Sequence, residues 1–459
     1  MEREKKVKRI DMLHGPIWNK LPMYALPVAA TGILEQLFNA SDLAIVGNFA
    51  SGNRTAAVAA VGANSPIIGL ILNLFIGIAL GANVVIANAV GQKDEKRIHK
   101  TVYTSIIMAI LGGLIVLIIG ELGIGALLKG LNVPNEVYPY ALLYIRIYLL
   151  GMPAILLYNF EAAIFRSIGD TKVPLEALAV SGVLNVLLNL FFVIVLHMNV
   201  NGVAIATVIA NVVSSLLLFR KLMKTEKVVH VDLKELSFDK NSFTHIIQIG
   251  LPAGIQSAVF AVANIVIQAA INSLGTVVIA ASSAAFNIEI IAYDVLNSFS
   301  QACTTFVGQN YGAGQIKRCK KTLVLCIIED AIASASTILV VLFFGKNLLS
   351  LFNNDPQVIE YGYTRLLLIF SAYTFSMLYE NMSGYLRGFG ISLVPAILTV
   401  IGVCVVRLIW IYTVFPLHRS FRTIMMAYPL SLSITACLIF IAVMIYRPSH
   451  RFQLKREEN

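Results

Sequence analysis

The chain has 459 residues, of which 58% are apolar and only 13% charged, with a formal net charge of +10. A soluble domain needs roughly 25% charged residues to cover its surface. A soluble globular fold, a disordered chain, a coiled coil and a nucleic-acid module are therefore all poor fits. What fits is an all-α bundle embedded in lipid, each crossing taking about 20 apolar residues.

In chain order, residues 1–19 form a basic leader with Arg3, Lys5, Lys6, Lys8 and Arg9. No short h-region closed by an A-x-A-like site follows, so it reads as an uncleaved cytoplasmic leader. Twelve apolar stretches come next: 20–49, 56–89, 99–117, 138–159, 174–196, 201–219, 244–269, 276–307, 322–344, 359–382, 393–415 and 424–446. The polar segment 220–243 divides them into two halves of six, 20–219 and 244–446, and 447–459 forms a C-terminal tail. With the N-terminus inside, cytoplasmic segments hold 27 Lys and Arg and the external loops five: Arg54, Lys129, Lys346, Arg419 and Arg422. That asymmetry fixes the orientation and places both termini in the cytoplasm. The five cysteines show no metal spacing and read as small apolar fillers.

Ionisable groups inside spans carry the functional information, because a carboxylate in lipid is costly unless it faces water or a partner. The first span holds Glu35 and Asp42, seven apart and so on about the same face, with Asn39 three before Asp42. Glu161 closes the fourth span, five before Arg166, and an inner-gate ion pair between them is one reading. The fifth span pairs Asn185 with Asn189, and the sixth Thr207 with Asn211, each four apart. Asp42 with such amides and a hydroxyl would suit Na⁺ or a proton. In the second half stand Glu289 and Asp294, too far apart in angle to cluster, then Glu329 and Asp330, with Arg407 as a partner to consider. Glu380 follows, among the aromatics Tyr373, Phe375, Tyr379 and Tyr385, which are candidates to line a pocket for a flat cation. No nucleophile–base constellation, cofactor motif or metal motif appears, so an enzyme is not expected.

The halves resemble each other. "FRSIGDTKVP" at 165–174 recurs as "LRGFGISLVP" at 386–395, "VGQ" at 90–92 recurs at 307–309, and "ALP" at 25–27 is echoed by "GLP" at 250–252. Even-numbered halves enter from the same side, giving parallel six-helix bundles around a central cleft, an arrangement that serves alternating access.

The motifs "NASDLAIVG", "VGQ" with its basic cluster, "FRSIGDTKVP" and "GVLNVLLNLFF" followed by "NGVAIATVIAN" together resemble the multidrug and toxic compound extrusion (MATE) family, in particular its DinF-like and MepA-like bacterial branch. The resemblance runs from about residue 18 to 446. It implies a secondary antiporter exporting small amphiphilic organic cations for inward H⁺ or Na⁺. The Lys- and Ile-rich composition with its leader points to a bacterial inner or plasma membrane, in contact with lipid, and the internal duplication means that a monomer can suffice. By resemblance Asp42, Asn185 and Thr207 fall on the ion site of the first half. Asn189 stands where many relatives carry an aspartate, so that site has one carboxylate fewer, and Glu35 is a candidate to compensate. The wider superfamily includes flippases of lipid-linked precursors, which is the alternative reading. Acidic residues outnumber basic ones within these spans, which favours a cationic or neutral cargo.

Overall fold

Where water is absent, a spanning backbone must satisfy its own hydrogen bonds, and long apolar runs do so as helices. The computed structural model describes residues 10–131, 133–226 and 228–450; the basic residues 1–9, the end of the tail, Asn132 and Lys227 lie outside it. The helices are α1 (Lys20–Phe49), α2 (Arg54–Gln92), α3 (Glu95–Gly130), α4 (Tyr138–Leu150), α5 (Met152–Ser167), α6 (Lys172–Leu190), α7 (Val200–Lys224), α8 (Lys240–Asn272), α9 (Thr276–Gly312), α10 (Ile316–Ser350), α11 (Pro356–Ser371), α12 (Tyr373–Gly388), α13 (Leu393–Thr399), α14 (Val406–Thr413) and α15 (Phe421–Tyr446). Wider π-turns extend α6 over Phe191–Val195 and join α13 to α14 over Val400–Val405. No strand occurs among the described residues.

Each of the twelve apolar stretches is helical. Among the described residues nine helices are long and apolar enough to cross a membrane, and the α4–α5 pair, bent by 51°, makes a tenth. Gly151 marks that bend, and Pro153 behind it has no N–H to continue the ladder. The two stretches short of the apolar threshold are α1, with Glu35 and Asp42, and α11–α12, with Arg365 and Glu380.

The internal repeat is visible in the elements. α3 starts at Glu95 and α10 at Ile316, α6 at Lys172 and α13 at Leu393, α7 at Val200 and α15 at Phe421, each 221 residues apart. In the repeated "FRSIGDTKVP" and "LRGFGISLVP" segments, Gly169 (φ 81°) and Gly390 (φ 82°) are both left-handed. Asp170 N–H donates to Phe165 O at 3.0 Å and Gly169 N–H to Arg166 O at 3.0 Å. Ile391 N–H donates to Leu386 O and Gly390 N–H to Arg387 O in the same pattern. This is a Schellman stop, which requires φ > 0 and so favours glycine.

The "VGQ" repeat is corrected by the structure. Gly91 lies one residue before the end of α2, whereas Gly308 lies four before the end of α9. The true counterpart of Gly91 is Gly312, 221 residues on. A Cβ on Gly91 would stand 2.0 Å from Gln309 O, and one on Gly312 would stand 2.1 Å from Asn88 O. Each glycine packs on the carbonyl three residues before the other, Gly91 on Gln309 and Gly312 on Asn88, a reciprocal close approach that only glycine permits.

Two compact units emerge. One comprises, among the described residues, 10–29, 87–93 and 248–450. In it Met12 and Ile17 of the leader are buried with Tyr24, Cys303 and Phe306. Arg318 donates to Gly15 O and Met12 O, and Asn310 Nδ2 also donates to Met12 O. The other unit comprises 30–86 and 94–247. Here the polar segment after α7 is pinned to α3: Tyr103 OH accepts from Asp232 N–H, Thr104 Oγ1 from Asp239 N–H, and Lys100 pairs with Asp239. The Ser242 backbone N–H, with the Ser242 hydroxyl and Lys100, holds the Asp239 carboxyl below its ordinary value.

Candidate ion site

The residues singled out in the first half converge. Asp42 sits two turns from the C-terminal end of α1, and its side chain is buried at 7% exposure. Asn185 and Asn189, one turn apart on α6, and Thr207 on α7 face it. Asn189 Nδ2 donates to Asp42 Oδ1 at 2.5 Å and to Asn185 Oδ1 at 3.1 Å. Asn185 Nδ2 lies 3.3 Å from Thr207 Oγ1, and Thr207 Oγ1 lies 3.1 Å from Asp42 Oδ2. The four side chains close a ring of hydrogen bonds around one carboxyl group. The i, i+4 spacing on α6 puts both amides on one face, and α6 packs directly on α7.

The ring opens onto a cavity of about 150 Å³ lined by Glu35, Asn39, Asp42, Asn185, Thr207 and Asn211, with Tyr148, Tyr158 and Asn159 added from α4 and α5. At about 30 Å³ per water molecule, this holds an ion and a few waters. It falls below the roughly 300–1,000 Å³ of a drug-sized pocket. The chemistry it offers is exchange of a proton or small cation at Asp42. The lining from α4 and α5 was not singled out in sequence; Tyr148, Ile155 and Asn159 recur at seven- and four-residue steps, a helical-face signal that the Gly151 bend obscures.

Both Asp42 oxygens and Asn185 Oδ1 already accept from N–H or O–H donors. Asn189 presents its NH₂ to the carboxyl, an orientation assigned by the hydrogen bonds themselves, while its Oδ1 is buried without a partner. A Na⁺ site wants converging oxygen lone pairs. This arrangement instead surrounds a carboxyl with donors, and both the charged and the neutral form find partners in it.

The remaining candidates lie elsewhere. Glu161 on α5 is fully buried and accepts from Ser215 of α7 at 3.3 Å, with Oε1 left unpartnered. Among the described residues it forms no ion pair with Arg166, because a five-residue step turns the two side chains about 140° apart on a helix. Glu289 forms a two-pronged ion pair with Arg365 of α11, at 2.6 and 2.8 Å. Asp294 is separate, with Oδ2 buried and unpartnered. Arg407 does not reach Glu329 or Asp330; its Nε donates to Ser431 at 2.9 Å and its guanidinium lies 4.1 Å over the Tyr428 ring. Glu380 accepts from Tyr293 OH at 3.2 Å. Tyr373, Tyr379 and Tyr385 are core residues, Tyr373 packed on Phe370 and Tyr385 on Phe389, while Phe375 is turned outward. Counted round the helix, residues 373, 375, 379 and 385 do not share one face.

Residues 27–191 and 252–413 each match the MatE family model, one match in each half. The chain belongs to the MatE family. It is 25% identical over 396 residues to "Probable multidrug resistance protein YoeA" of Bacillus subtilis, the match covering 84% of each chain. It is also 25% identical to the "FAD transporter" of Shewanella oneidensis, covering 80% of this chain and 81% of that one. In structure it resembles an "outward-facing conformation of a multidrug resistance MATE family transporter of the MOP superfamily", with a TM-score of 0.89 at 21% identity, over 98% of this chain and all of that one. The chain is thus a multi-pass membrane transporter with the twelve-span MatE fold, and not an enzyme.

Proposed function

We propose that this MatE-family transporter is a secondary antiporter that exports small amphiphilic organic cations in exchange for protons by alternating access. It acts as a monomer in a bacterial inner or plasma membrane with both termini cytoplasmic, and its motifs group it with the DinF-like and MepA-like branch. The observation that carries the reading is the ring of Asn189, Asn185 and Thr207 donors around the single carboxyl of Asp42, at the wall of a water-sized cavity. A proton on Asp42 removes a charge that is expensive at this depth, so binding and release of H⁺ change the energy of that site by enough to bias a conformational equilibrium. The surplus of acidic over basic residues in the spans supports a cationic cargo.

The test is efflux of a fluorescent organic cation from proteoliposomes, with a pH gradient and a Na⁺ gradient imposed separately. The pH gradient drives export in the wild type, the Na⁺ gradient does not, and Asp42→Asn abolishes the driven component. Export driven by Na⁺ alone would overturn proton coupling. No movement under either gradient, with folded protein, would overturn the cation reading and favour an amphiphilic anion of the kind named for the Shewanella relative, or a lipid-linked precursor.

A further inference from the structure

The second half holds a buried acid that exchange at Asp42 does not use. Asp330, in the middle of α10, is fully buried. Asn381 Nδ2 of α12 donates to its Oδ2 at 2.6 Å, and Ser334, one turn along α10, reaches its Oδ1 at 3.3 Å. Beside Asn381 in the chain is Glu380, 4% exposed, whose Oε1 accepts from Tyr293 OH of α9. The arginines of this unit's interior are engaged elsewhere: Arg365 with Glu289, Arg407 with Ser431 and Tyr428, and Arg387 with Gln256. Asp330 therefore has two neutral partners in place of a cation. An ionised carboxylate so placed is costly.

Two further polar groups point to what completes the site. Asn381 Oδ1 is buried with no donor, although its Nδ2 is fully used by Asp330 and Met377 O. The Tyr373 hydroxyl, eight residues earlier on α12, is also buried without a partner. Both lack a hydrogen-bond partner, and a protonated acid can supply the donor that Asn381 Oδ1 lacks.

We propose that Asp330 is a second proton-carrying site, in the half of the chain that does not hold Asp42, with H⁺ as its ligand. In the ionised form Oδ2 accepts from Asn381 and Oδ1 from Ser334. When a proton adds to Oδ1, the acid can donate to the unfilled Asn381 Oδ1, while Asn381 Nδ2 keeps Oδ2 and the Ser334 hydroxyl keeps the remaining lone pair of Oδ1. Titratable groups on the helices packed against α10 include Glu289, Tyr293, Asp294 and Cys303 from α9, Tyr363 and Arg365 from α11, and Tyr373, Tyr379, Glu380, Tyr385 and Arg387 from α12; Cys326 and Glu329 lie on α10 itself. The inference goes beyond the antiport reading and stands or falls without it, because proton binding is measured in the absence of any cargo.

The measurement is an infrared pH titration of the purified full-length protein, in an Asp42→Asn background that removes the first site. A protonated-carboxyl C=O band that titrates is expected, and Asp330→Asn removes it and lowers proton release by one per chain in an unbuffered pH jump. Should Asp330→Asn not fold, Asn381→Leu keeps the carboxyl and strips its shortest hydrogen bond, and the same band shifts in frequency. A band and a proton count unchanged by Asp330→Asn, or a band unmoved by Asn381→Leu, overturns the proposal. If the band behaves as expected while cation efflux fails in the separate transport assay, the proton site stands and the cargo reading falls.

Discussion

At the scale of single residues, a carboxylate inside a span has two very different fates, and the partner decides which. Glu289 meets a guanidinium: Arg365 grips both of its oxygens and takes a further bond to Ser282. Asp42 and Asp330 meet amides and hydroxyls. The first arrangement is a neutral pair, and the second leaves the carboxyl without a counter-charge. Glu289→Gln leaves Arg365 buried without its counter-charge, a change that costs about 3–5 kcal/mol. A lower thermal unfolding midpoint in detergent is the expected result. Replacing both, Glu289→Gln with Arg365→Met, recovers most of the loss, since a buried pair and an apolar pair of similar volume are often equivalent. Loss of gradient-driven transport in the stable double variant would contradict a purely structural pair. The sequence made Glu289, Asp42 and Asp330 visible as equals. Their partners lie 76, 147 and 51 residues away in the chain, beyond any local spacing rule.

At the scale of elements, spacing was legible wherever one helix supplied both groups. Asn185 with Asn189 needed only the helical period, and the left-handed glycines at 169 and 390 were announced by a segment that repeats with its Arg, Gly and Pro in register. The "VGQ" echo misled because three letters recur by chance, and only the helix ends show that Gly91 answers to Gly312. The reciprocal contact makes a sharp prediction. Gly91→Ala or Gly312→Ala drives a methyl into a carbonyl oxygen about 2 Å away, and overpacking costs about 1–3 kcal/mol or more. Both variants lose folded yield and unfold at lower temperature in a fluorescence-detected melt. Gly123→Ala on α3, with nothing within 4 Å of the added atom, is the control that behaves as wild type.

At the scale of the whole molecule, two halves of one ancestry have diverged in chemistry. At the 221-residue repeat spacing, Asn189 of the ring falls on Trp410 and Thr207 on Tyr428. There the space is taken by an indole bonded to Thr423 O and a guanidinium stacked on the phenol ring. The second half therefore does not duplicate the Asp42 ring, and its own buried acid is on α10. The charge asymmetry of the loops predicts an orientation that is open to direct test: Arg419→Cys is expected to react with a membrane-impermeant maleimide in intact cells, and Glu226→Cys only after lysis. The reverse pattern would invert the molecule. By itself the sequence determined the class of solvent, the twelve crossings, the duplication and the residues too polar to be idle in lipid. Each follows from composition or from periodicity along one element, where the bilayer imposes length and hydrogen bonding imposes helix. Only the tertiary structure decided which carboxylate meets a cation and which meets an amide, because a hydrogen bond is short and directional and the groups it joins are brought together by packing between helices.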